Sequence, residues 1–286
     1  MTAFSNGYDD FIPEIWSKKL ESLLLADSVM LQCVNRNYEG EIKAAGDKVH
    51  ILIPGAVTVS TLHGDALTYS EISPSDKTLE ISQKKYFAFK INDVATSQAG
   101  IDLMEAYLVN AKKAIEVEQD SYLLGLGTNA DSNNITGSSA SATEITASNI
   151  YAQFVNMAKL LKKANAIKPD THPWVIINPD IEALLLQSSQ FTSSFQLADK
   201  TIREGAIGRI AGMDVMVSSN LTADTNSAIP VLAGTNSAIT FASQVAKIEK
   251  TRDVNSFSDL VRGLYLYGAK VVQPKALALS YMKFAS

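Results

Sequence analysis

The chain has 286 residues and a mass of 30.8 kDa, enough for a hydrophobic core and for one large domain or two interleaved ones. Hydrophobic residues make up 46% and charged residues 19%, a balance that excludes a disordered tail and a long charged coiled coil. The 25 Lys and Arg residues against 30 Asp and Glu give a net charge of -5, so tight binding to nucleic-acid backbones is not predicted.

Cysteine content and hydropathy limit where the protein functions. Cys33 is the single cysteine, which excludes an internal disulfide and metal sites built on paired cysteines, and indicates a reducing compartment. The amino terminus lacks the lysines and the apolar region of a secretory signal. The apolar runs at 23–26 and 174–177 are far shorter than the ~20 residues that cross a bilayer. Neither export nor membrane insertion is predicted.

The first fifty residues contain only short predicted elements. Pro13 begins an amphipathic helix that continues to about Leu25, with Trp16 on its apolar stripe. Two strands are predicted after it, over 30–34 and 48–53, separated by Gly and Asp residues typical of turns. Because no long element here supplies a second packing layer, we interpret this region as an arm.

Residues 57–93 predict a long β-hairpin. Two β-rich runs flank a polar middle, residues 63–78, that includes Pro74 and Asp76. Arms of ten to fifteen residues would reach about 33 to 50 Å at ~3.3 Å per residue, further than the core of a domain this size can support. Since an isolated two-stranded hairpin is only marginally stable in water, we expect neighbouring chains to pack against this one.

The strongest helical pattern follows, from a cap at Thr96 or Ser97 to the glycines Gly125 and Gly127. Some 27 residues at ~1.5 Å each give a rod of about 40 Å, long enough to be the backbone of the subunit. The next stretch, residues 128–148, is rich in Ser, Thr, Asn and Ala and is predicted to be a flexible surface loop.

The remaining sequence mixes helices and strands. A helix is predicted over 149–164, a strand over 174–178 and a helix over 179–187, an alternation that indicates an α/β or α+β fold. Glycines 205, 208 and 212 precede an alternating strand, so turns with φ > 0 or close backbone approaches are predicted there rather than a phosphate cradle. From residue 238 onward the pattern is strand-rich, and the end of the chain is predicted to join the sheet begun by residues 79–92.

Catalytic motifs are missing from the sequence. No nucleophile elbow, HExxH pair, phosphate loop or CxxC occurs. His50, His63 and His172 lie in a strand, a hairpin tip and a turn, so no metal site is predicted. Asp102 and Glu105 are spaced for acid/base work, but such a pair more often favours a helix N-terminus. No catalytic, cofactor-binding or metal-ligating residue is therefore predicted.

Basic, acidic and aromatic residues are instead candidates for contacts between subunits. Lys84 and Lys85 precede Tyr86, Phe87 and Phe89 in a mixture typical of single-strand binders, but strand alternation favours aromatic side chains packed inward beneath exposed charge. For the other charged residues the alternative is ordinary solvated surface charge. The interface candidates are Trp16, Lys84, Lys85, Arg203, Glu204, Arg209, Arg252, Asp253 and Arg262.

Several phrases, in this order of elements, resemble the major capsid (coat) protein of tailed bacteriophages, which has the Hong Kong phage shell fold. They include FIPEIWSKKL in the arm, KKYFAFKIND before the long helix, WVIINPDIEALLL, and FSDLVRGLYLYGAKVVQPKALA near the end. The most specific piece is the Gly-x-x-Gly-Arg-Ile-x-Gly-x-x-Val stretch over 205–215. The resemblance covers nearly the full chain.

The resemblance implies an α+β phage capsid fold with five parts. These are an N-terminal arm at 1–54, an extended β-hairpin loop with the first peripheral-sheet strands at 55–93, a long spine helix at 94–127, an apical domain at 128–244, and C-terminal strands of the peripheral domain at 245–286. It also implies that the extended loop lies over a neighbouring subunit, which would explain a hairpin too long for its own domain.

The implied function is a major capsid protein that self-assembles, as pentamers and hexamers, into an icosahedral shell. The shell would enclose double-stranded DNA without sequence-specific binding, contact no membrane, form in the host bacterial cytoplasm and belong to the virion. A portal and a separate scaffolding protein are expected partners, because Met1 is only a few residues from the arm, where some family members carry a scaffolding segment. No cofactor and no enzymatic activity are implied.

Two alternatives stay open on the sequence. One is an encapsulin, a cellular compartment shell of the same fold that holds cargo enzymes. The other is a soluble enzyme that uses loop carboxylates such as Asp170 and Asp199. Some family members also join subunits by a lysine-asparagine isopeptide bond, but no motif here fixes the asparagine, so this reaction is not predicted for Lys77, Lys84 or Lys85.

Overall fold

The computed structural model describes residues 29–38, 48–53, 59, 75–92, 103–168, 171–188 and 208–285. The predicted helix after Pro13, the start of the spine helix, Gly205 and the carboxylates Asp170 and Asp199 lie outside the described residues. The described helices are α1 (Leu103–Gly125), α2 (Ile150–Lys163) and α3 (Pro179–Leu186). The strands are β1 (Lys48–Ile53), β2 (Ser75–Glu80), β3 (Gln83–Asn92), β4 (Ile135–Thr136), β5 (Thr143–Ile145), β6 (Trp174–Ile177), β7 (Arg209–Ile210), β8 (Met213–Val217), β9 (Ile229–Gly234), β10 (Ile239–Arg252), β11 (Ser258–Val271) and β12 (Leu277–Phe284).

The first sheet is the antiparallel pair of β1 and β2, in which Lys48 lies opposite Glu80 and Ile53 opposite Ser75. The predicted strand over 48–53 is therefore confirmed. Strand β1 is hydrogen-bonded to the far side of the extended loop segment, and β2 begins within the predicted polar middle, residues 63–78. The boundary of the arm at residue 54 stays a prediction. Residues 54–74 connect the two strands.

The second sheet, here called the peripheral sheet, has the order β10-β11-β3 with antiparallel pairing throughout. The hairpin of β10 and β11 has 14 residues in each strand and a bulge between Val245 and Lys247. The predicted pairing of residues 79–92 with the last part of the chain is confirmed for β3 and β11.

The third sheet has seven strands, in the order β4-β12-β9-β6-β8-β7 with β5 also paired to β12. Because β12 lies in this sheet, the prediction that residues 277–284 belong to the peripheral sheet is wrong. The physical reason is that the 3-10 turn Pro274–Ala276 redirects the chain after β11, and both faces of β12 become buried.

The helices of this region begin and end where the sequence indicates. Residues 150, 154, 157, 158 and 161 of α2 form one buried stripe at helical spacing. Asn178 caps α3 by accepting a hydrogen bond from the Ile181 amide at 2.9 Å, and Pro179 occupies its first turn. The predicted helices over 149–164 and 179–187 and the strand over 174–178 are thus confirmed to within a residue or two.

Two predictions of local structure are corrected, one of a loop and one of a strand. The segment 128–148 is not a flexible loop, because β4 and β5 pair in parallel with β12. Asn134 supports this pairing, since its buried amide donates to the carbonyls of Lys275 and Leu277 at 2.9 and 3.1 Å. The predicted strand over 30–34 is a 3-10 helix, Met30–Gln32, whose apolar residues are nearly all buried without the alternation of a half-exposed strand.

Two hydrophobic layers lie on either side of the seven-stranded sheet. One face, with Trp174 and Leu232, packs towards α1 and the peripheral sheet. The other, with Val175 and Val231, packs on α2 and α3. Adjacent residues of one strand thus enter different cores, as strand alternation requires. Among the described residues, no helix combines the length and the apolar character needed to cross a bilayer.

Helix α1 holds the body together. Its Gln119 amide donates to the Tyr265 hydroxyl of β11 at 2.6 Å, and its Tyr122 ring meets the Tyr267 ring edge-on at 5.4 Å. The buried Asp120 accepts from the Met30 amide at 3.4 Å and from the Asn220 side chain at 3.1 Å. One helix therefore contacts the peripheral sheet, the segment that contains Met30 and the loop after β8.

Candidate assembly surface

The inner face of the peripheral sheet is built by alternation along β3. Phe87 and Phe89 are half-buried on this face, with ring centroids 6.1 Å apart, and Phe89 also contacts Tyr107 of α1 at 5.4 Å. A β-carbon added to Gly263 on β11 would lie 2.3 Å from the Phe87 ring, so the glycine provides the space for this aromatic side chain. The predicted inward packing of Phe87 and Phe89 is confirmed.

The two lysines that precede these aromatics lie on opposite faces. Lys84 is exposed on the outer face with Tyr86, whereas Lys85 shares the inner face and forms an ion pair with Glu118 of α1 at 2.8 Å. Tyr86 is 79% exposed, so the expectation of inward packing is wrong for this ring. Because Tyr86 and Phe87 are successive residues of a strand, their side chains point to opposite faces of the sheet, and Tyr86 faces outward.

The β1–β2 hairpin covers one end of the outer face. Its side chains Val49, Ile51 and Leu79 pack with Leu266 of β11 and Ala242 of β10 in a separate buried cluster. At Gly268 the approach is closest, since an added β-carbon would lie 2.3 Å from the Glu80 carbonyl oxygen. The base of the extended loop is therefore anchored on the peripheral sheet through backbone contact.

The other end of the outer face carries exposed side chains of β3, β10 and β11. Here Tyr86 lies opposite Leu264, which in turn lies opposite Lys247, and Ala88, Arg262 and Glu249 form the next row. These residues and Gly263 line a groove of about 380 Å³ whose surface is almost entirely apolar. The same face thus carries an apolar floor and a charged rim.

The rim charges are paired within the chain. Glu249 forms ion pairs with both Arg262 and Lys247, and its pKa is lowered by hydrogen bonds from Lys247 and then Arg262. Towards the end of the hairpin, Asp259 pairs with Lys250 at 2.9 Å and with Arg252 at 3.2 Å. The interface candidates Arg252 and Arg262 therefore have partners in their own subunit, and a role for them between subunits stays a prediction.

The tip of the β10–β11 hairpin, residues 253–257, is ordered by Asp253. Its carboxylate accepts from Lys90 Nζ at 2.6 Å, from Ser256 Oγ at 2.6 Å and from the Asn255 amide at 3.0 Å, and these contacts lower its pKa. The neighbouring Val254 and Phe257 point into solvent, with 96% and 80% of their surface exposed. The tip is thus a hydrogen-bonded loop that presents apolar side chains.

Arg209 lies elsewhere, at the edge of the seven-stranded sheet. It pairs with Asp214 at 2.6 Å and contacts His172 at 3.0 Å. The turn between β7 and β8 has φ of 51° at Ala211 and 86° at Gly212, which confirms the predicted φ > 0 at Gly212. At Gly208 no atom of the described residues lies within 4 Å of an added β-carbon, so the close backbone approach predicted there is not found. Arg203 and Glu204 lie outside the described residues, as does Trp16.

The described residues also include histidines, carboxylates and one thiol that could carry chemistry. There, no three His, Cys, Asp or Glu side chains are grouped as a metal site would require. His50 pairs with Asp76 at 2.7 Å on the hairpin, far in sequence from Arg209 and its contact His172. Burial raises the pKa of the Cys33 thiol to about 12, which makes it a packing group rather than a nucleophile.

Four exposed apolar residues of this surface were not predicted from the sequence as a set: Val254, Phe257, Tyr86 and Leu264. The available signal was apolar residues in the polar turn DVNSF. Pairing of Tyr86 with Leu264 depends on long-range register, which a single sequence does not supply.

One protein family and several solved structures are similar to this chain. The profile of the family described as "Phage capsid protein" matches residues 76–280, more than half of the chain. No curated protein is similar in sequence. A solved structure from Mycobacterium phage Che8 is 28% identical, with a TM-score of 0.74 over 89% of this chain and 91% of that chain.

More distant structures share the fold. The capsid of cyanophage P-SCSP1u is 16% identical, with a TM-score of 0.68 over 88% of this chain and 86% of its own. A virus-like particle from Pyrococcus furiosus is 11% identical, with a TM-score of 0.57 over 94% of this chain and 99% of its own. At these identities the similarity concerns the arrangement of helices and sheets alone.

Proposed function

This chain belongs to the phage capsid protein family and forms a phage shell as its major capsid protein; we propose that the shell is icosahedral, built from pentamers and hexamers, and encloses double-stranded DNA. The observation that carries this proposal is the family match over 76–280 together with similarity along almost the whole Che8 chain. An encapsulin is not favoured, because the matching family is one of phage capsid proteins.

The proposed roles of the parts follow the chain. Residues before β1 act as an arm, the extended loop whose base is the β1–β2 hairpin reaches over a neighbouring subunit, and α1 is the spine. The seven-stranded sheet with α2 and α3 is the apical domain, and β3, β10 and β11 are the peripheral domain. Supporting this division, the two larger sheets have separate strand orders and share one core through α1.

Assembly then follows from repeated modest contacts. Each subunit binds several neighbours, and closure of the shell makes their effects compound. The proposed interface residues include Trp16, Lys84, Lys85, Arg203, Glu204, Arg209, Arg252, Asp253 and Arg262. A net charge of -5 suits a wall that encloses DNA without reading its sequence. The chain has a structural role, with no catalytic step.

The proposed partners are a separate scaffolding protein and a portal, and assembly takes place in the host bacterial cytoplasm. The test is co-expression of the chain with its genomic neighbours, followed by electron microscopy. We expect closed particles of uniform size. A small closed oligomer under every combination of neighbours would contradict the proposed function, and uniform particles from the chain alone would contradict only the scaffolding requirement.

A further inference from the structure

The hairpin tip, residues 253–257, exposes more apolar surface than folding of the subunit explains. Val254 is 96% and Phe257 80% exposed, and neither belongs to a hydrophobic cluster of the described residues. Both side chains lie in one five-residue turn, and apolar side chains exposed together are candidates for an interaction site. Burying an aromatic ring of this kind against a partner is a common source of binding energy.

The tip is also held in one conformation. Beyond the three hydrogen bonds that Asp253 accepts, its amide donates to the Ser258 carbonyl at 3.0 Å, and the Ser258 amide donates to the Ser256 carbonyl at 2.9 Å. A loop ordered before binding loses less conformational entropy when its side chains are buried. The tip therefore combines exposed apolar groups with a preorganised backbone.

A receptor of matching character lies on the same molecule. The groove between Tyr86 and Leu264 has a volume of about 380 Å³, enough for one or two large side chains, and an almost entirely apolar lining. Tyr86 is 79% and Leu264 38% exposed. At its rim, Glu249 forms ion pairs with Arg262 and Lys247. An apolar side chain can therefore enter the groove without breaking these ion pairs.

The tip of a subunit cannot fill its own groove. Lys247 beside the groove and Asp253 at the tip belong to the same strand and turn, and six residues at ~3.3 Å separate them by about 20 Å. The antiparallel pairing of β10 with β11 is continuous between these points. The tip and the groove therefore cannot cover each other within one subunit.

We infer that the tip of one subunit, with Val254 and Phe257, packs into the Tyr86–Leu264 groove of a second copy of this chain. The inference rests on the proposed function, because a shell brings many copies together and supplies one tip for every groove. Tip and groove are different surfaces, so the contact is heterologous and closes only as a ring of subunits. Each subunit gives one contact and receives one.

The test is chemical cross-linking in assembled shells. Phe257→Cys and Tyr86→Cys are prepared singly and together in the full chain, assembled with the genomic neighbours and treated with a short bifunctional maleimide. The double variant is expected to give trimers or longer ladders on denaturing gels, while each single variant stays monomeric. The parent chain is the background control, since Cys33 is buried.

Two outcomes overturn the inference: a double variant that stays monomeric inside intact shells, or Phe257→Cys alone giving cross-linked species, which means that tips meet tips. Failure of the parent chain to form shells would instead contradict the proposed function.

A second pair of variants covers loss of assembly. Phe257→Ser is expected to lower shell yield by about tenfold or more, as removal of a central aromatic contact does. Thermal unfolding of its unassembled subunit should match the parent, because the ring is exposed. Val155→Ser, a 42% exposed valine on α2, is the matched control and should assemble normally. Equal yields from Phe257→Ser and Val155→Ser overturn the inference.

Discussion

Replacing Gly268 by alanine tests how the extended loop is anchored. The β-carbon of Gly268 would lie 2.3 Å from the Glu80 carbonyl oxygen and 3.0 Å from both the Glu80 carbonyl carbon and Ile81 Cα. All three contacts are to backbone, so no rotamer change relieves them. Since real β-carbons essentially never approach closer than 3.0 Å, the oxygen must move by at least about 0.7 Å.

That movement lifts the β1–β2 hairpin from its support. Leu79 and Ile81, almost fully buried against Leu266 and Ala242, follow the backbone of Glu80. Forcing one extra methyl group into a well-packed contact costs typically 1–3 kcal/mol. We expect about 2 kcal/mol here, which corresponds to roughly 30-fold in the equilibrium for local opening of the hairpin.

The assay is amide hydrogen exchange of the unassembled full chain. Gly268→Ala should accelerate exchange in β1 and β2 by roughly 30-fold while leaving β6 and β9 unchanged, because those strands lie in another core. Gly125→Ala is the matched control, since nothing lies within 4 Å of its added β-carbon. Equal exchange in the two variants would refute the proposed anchoring by backbone contact.

Three further predictions concern stability and reactivity. Asn134→Ala should lower the free energy of unfolding by about 2 kcal/mol, because two carbonyls lose their hydrogen-bond donor. The control is Asn133→Ala at an exposed position, which should change the free energy of unfolding by less than about 0.5 kcal/mol. Denaturant titration compares the two variants, and equal losses would contradict the role of Asn134. Hydrogen bonds from Lys90, Ser256 and the Asn255 amide lower the pKa of Asp253, so its stabilisation is complete above the unfolded value of about 4 and is lost as pH falls towards the folded value. Thermal unfolding should therefore show Asp253→Asn less stable than the parent at pH 7, with a difference that shrinks below about pH 4; a constant difference would be inconsistent with this titration. Burial, and then the charges of Asp120 and Asp214, raise the pKa of the Cys33 thiol to about 12. The thiol should therefore resist Ellman's reagent at pH 8 until denaturant is added. Rapid labelling of the native protein would count against the buried position.

Local patterns predicted most elements correctly. Helix α2 and strand β6 follow from local apolar patterns, and the start of α3 follows from Pro179, because φ restriction acts at the residue itself. The inward position of Phe87 follows from strand alternation in the same way. The family resemblance added the order of the parts, which periodicity alone does not provide.

Long-range pairing was the part that sequence patterns did not predict. The polar segment 128–148 looked like a loop because its composition lacks apolar alternation, yet β12 supplies hydrogen bonds to its backbone. Strand β12 itself was placed in the wrong sheet, because an apolar strand fits either sheet equally well. The hydrogen bonds between paired strands join backbone groups, and these groups are the same for every residue except proline. Side-chain patterns therefore do not show which strands pair.

The sequence by itself determined that this chain has a long helix ending near Gly125, a strand-rich carboxyl end and a hairpin with little core of its own. Tertiary structure alone decided that Gly268 supports that hairpin and that Tyr86 and Leu264 border one groove. The physical reason is range: periodicity and capping act within a few residues, whereas these contacts join residues that approach only when three strands align.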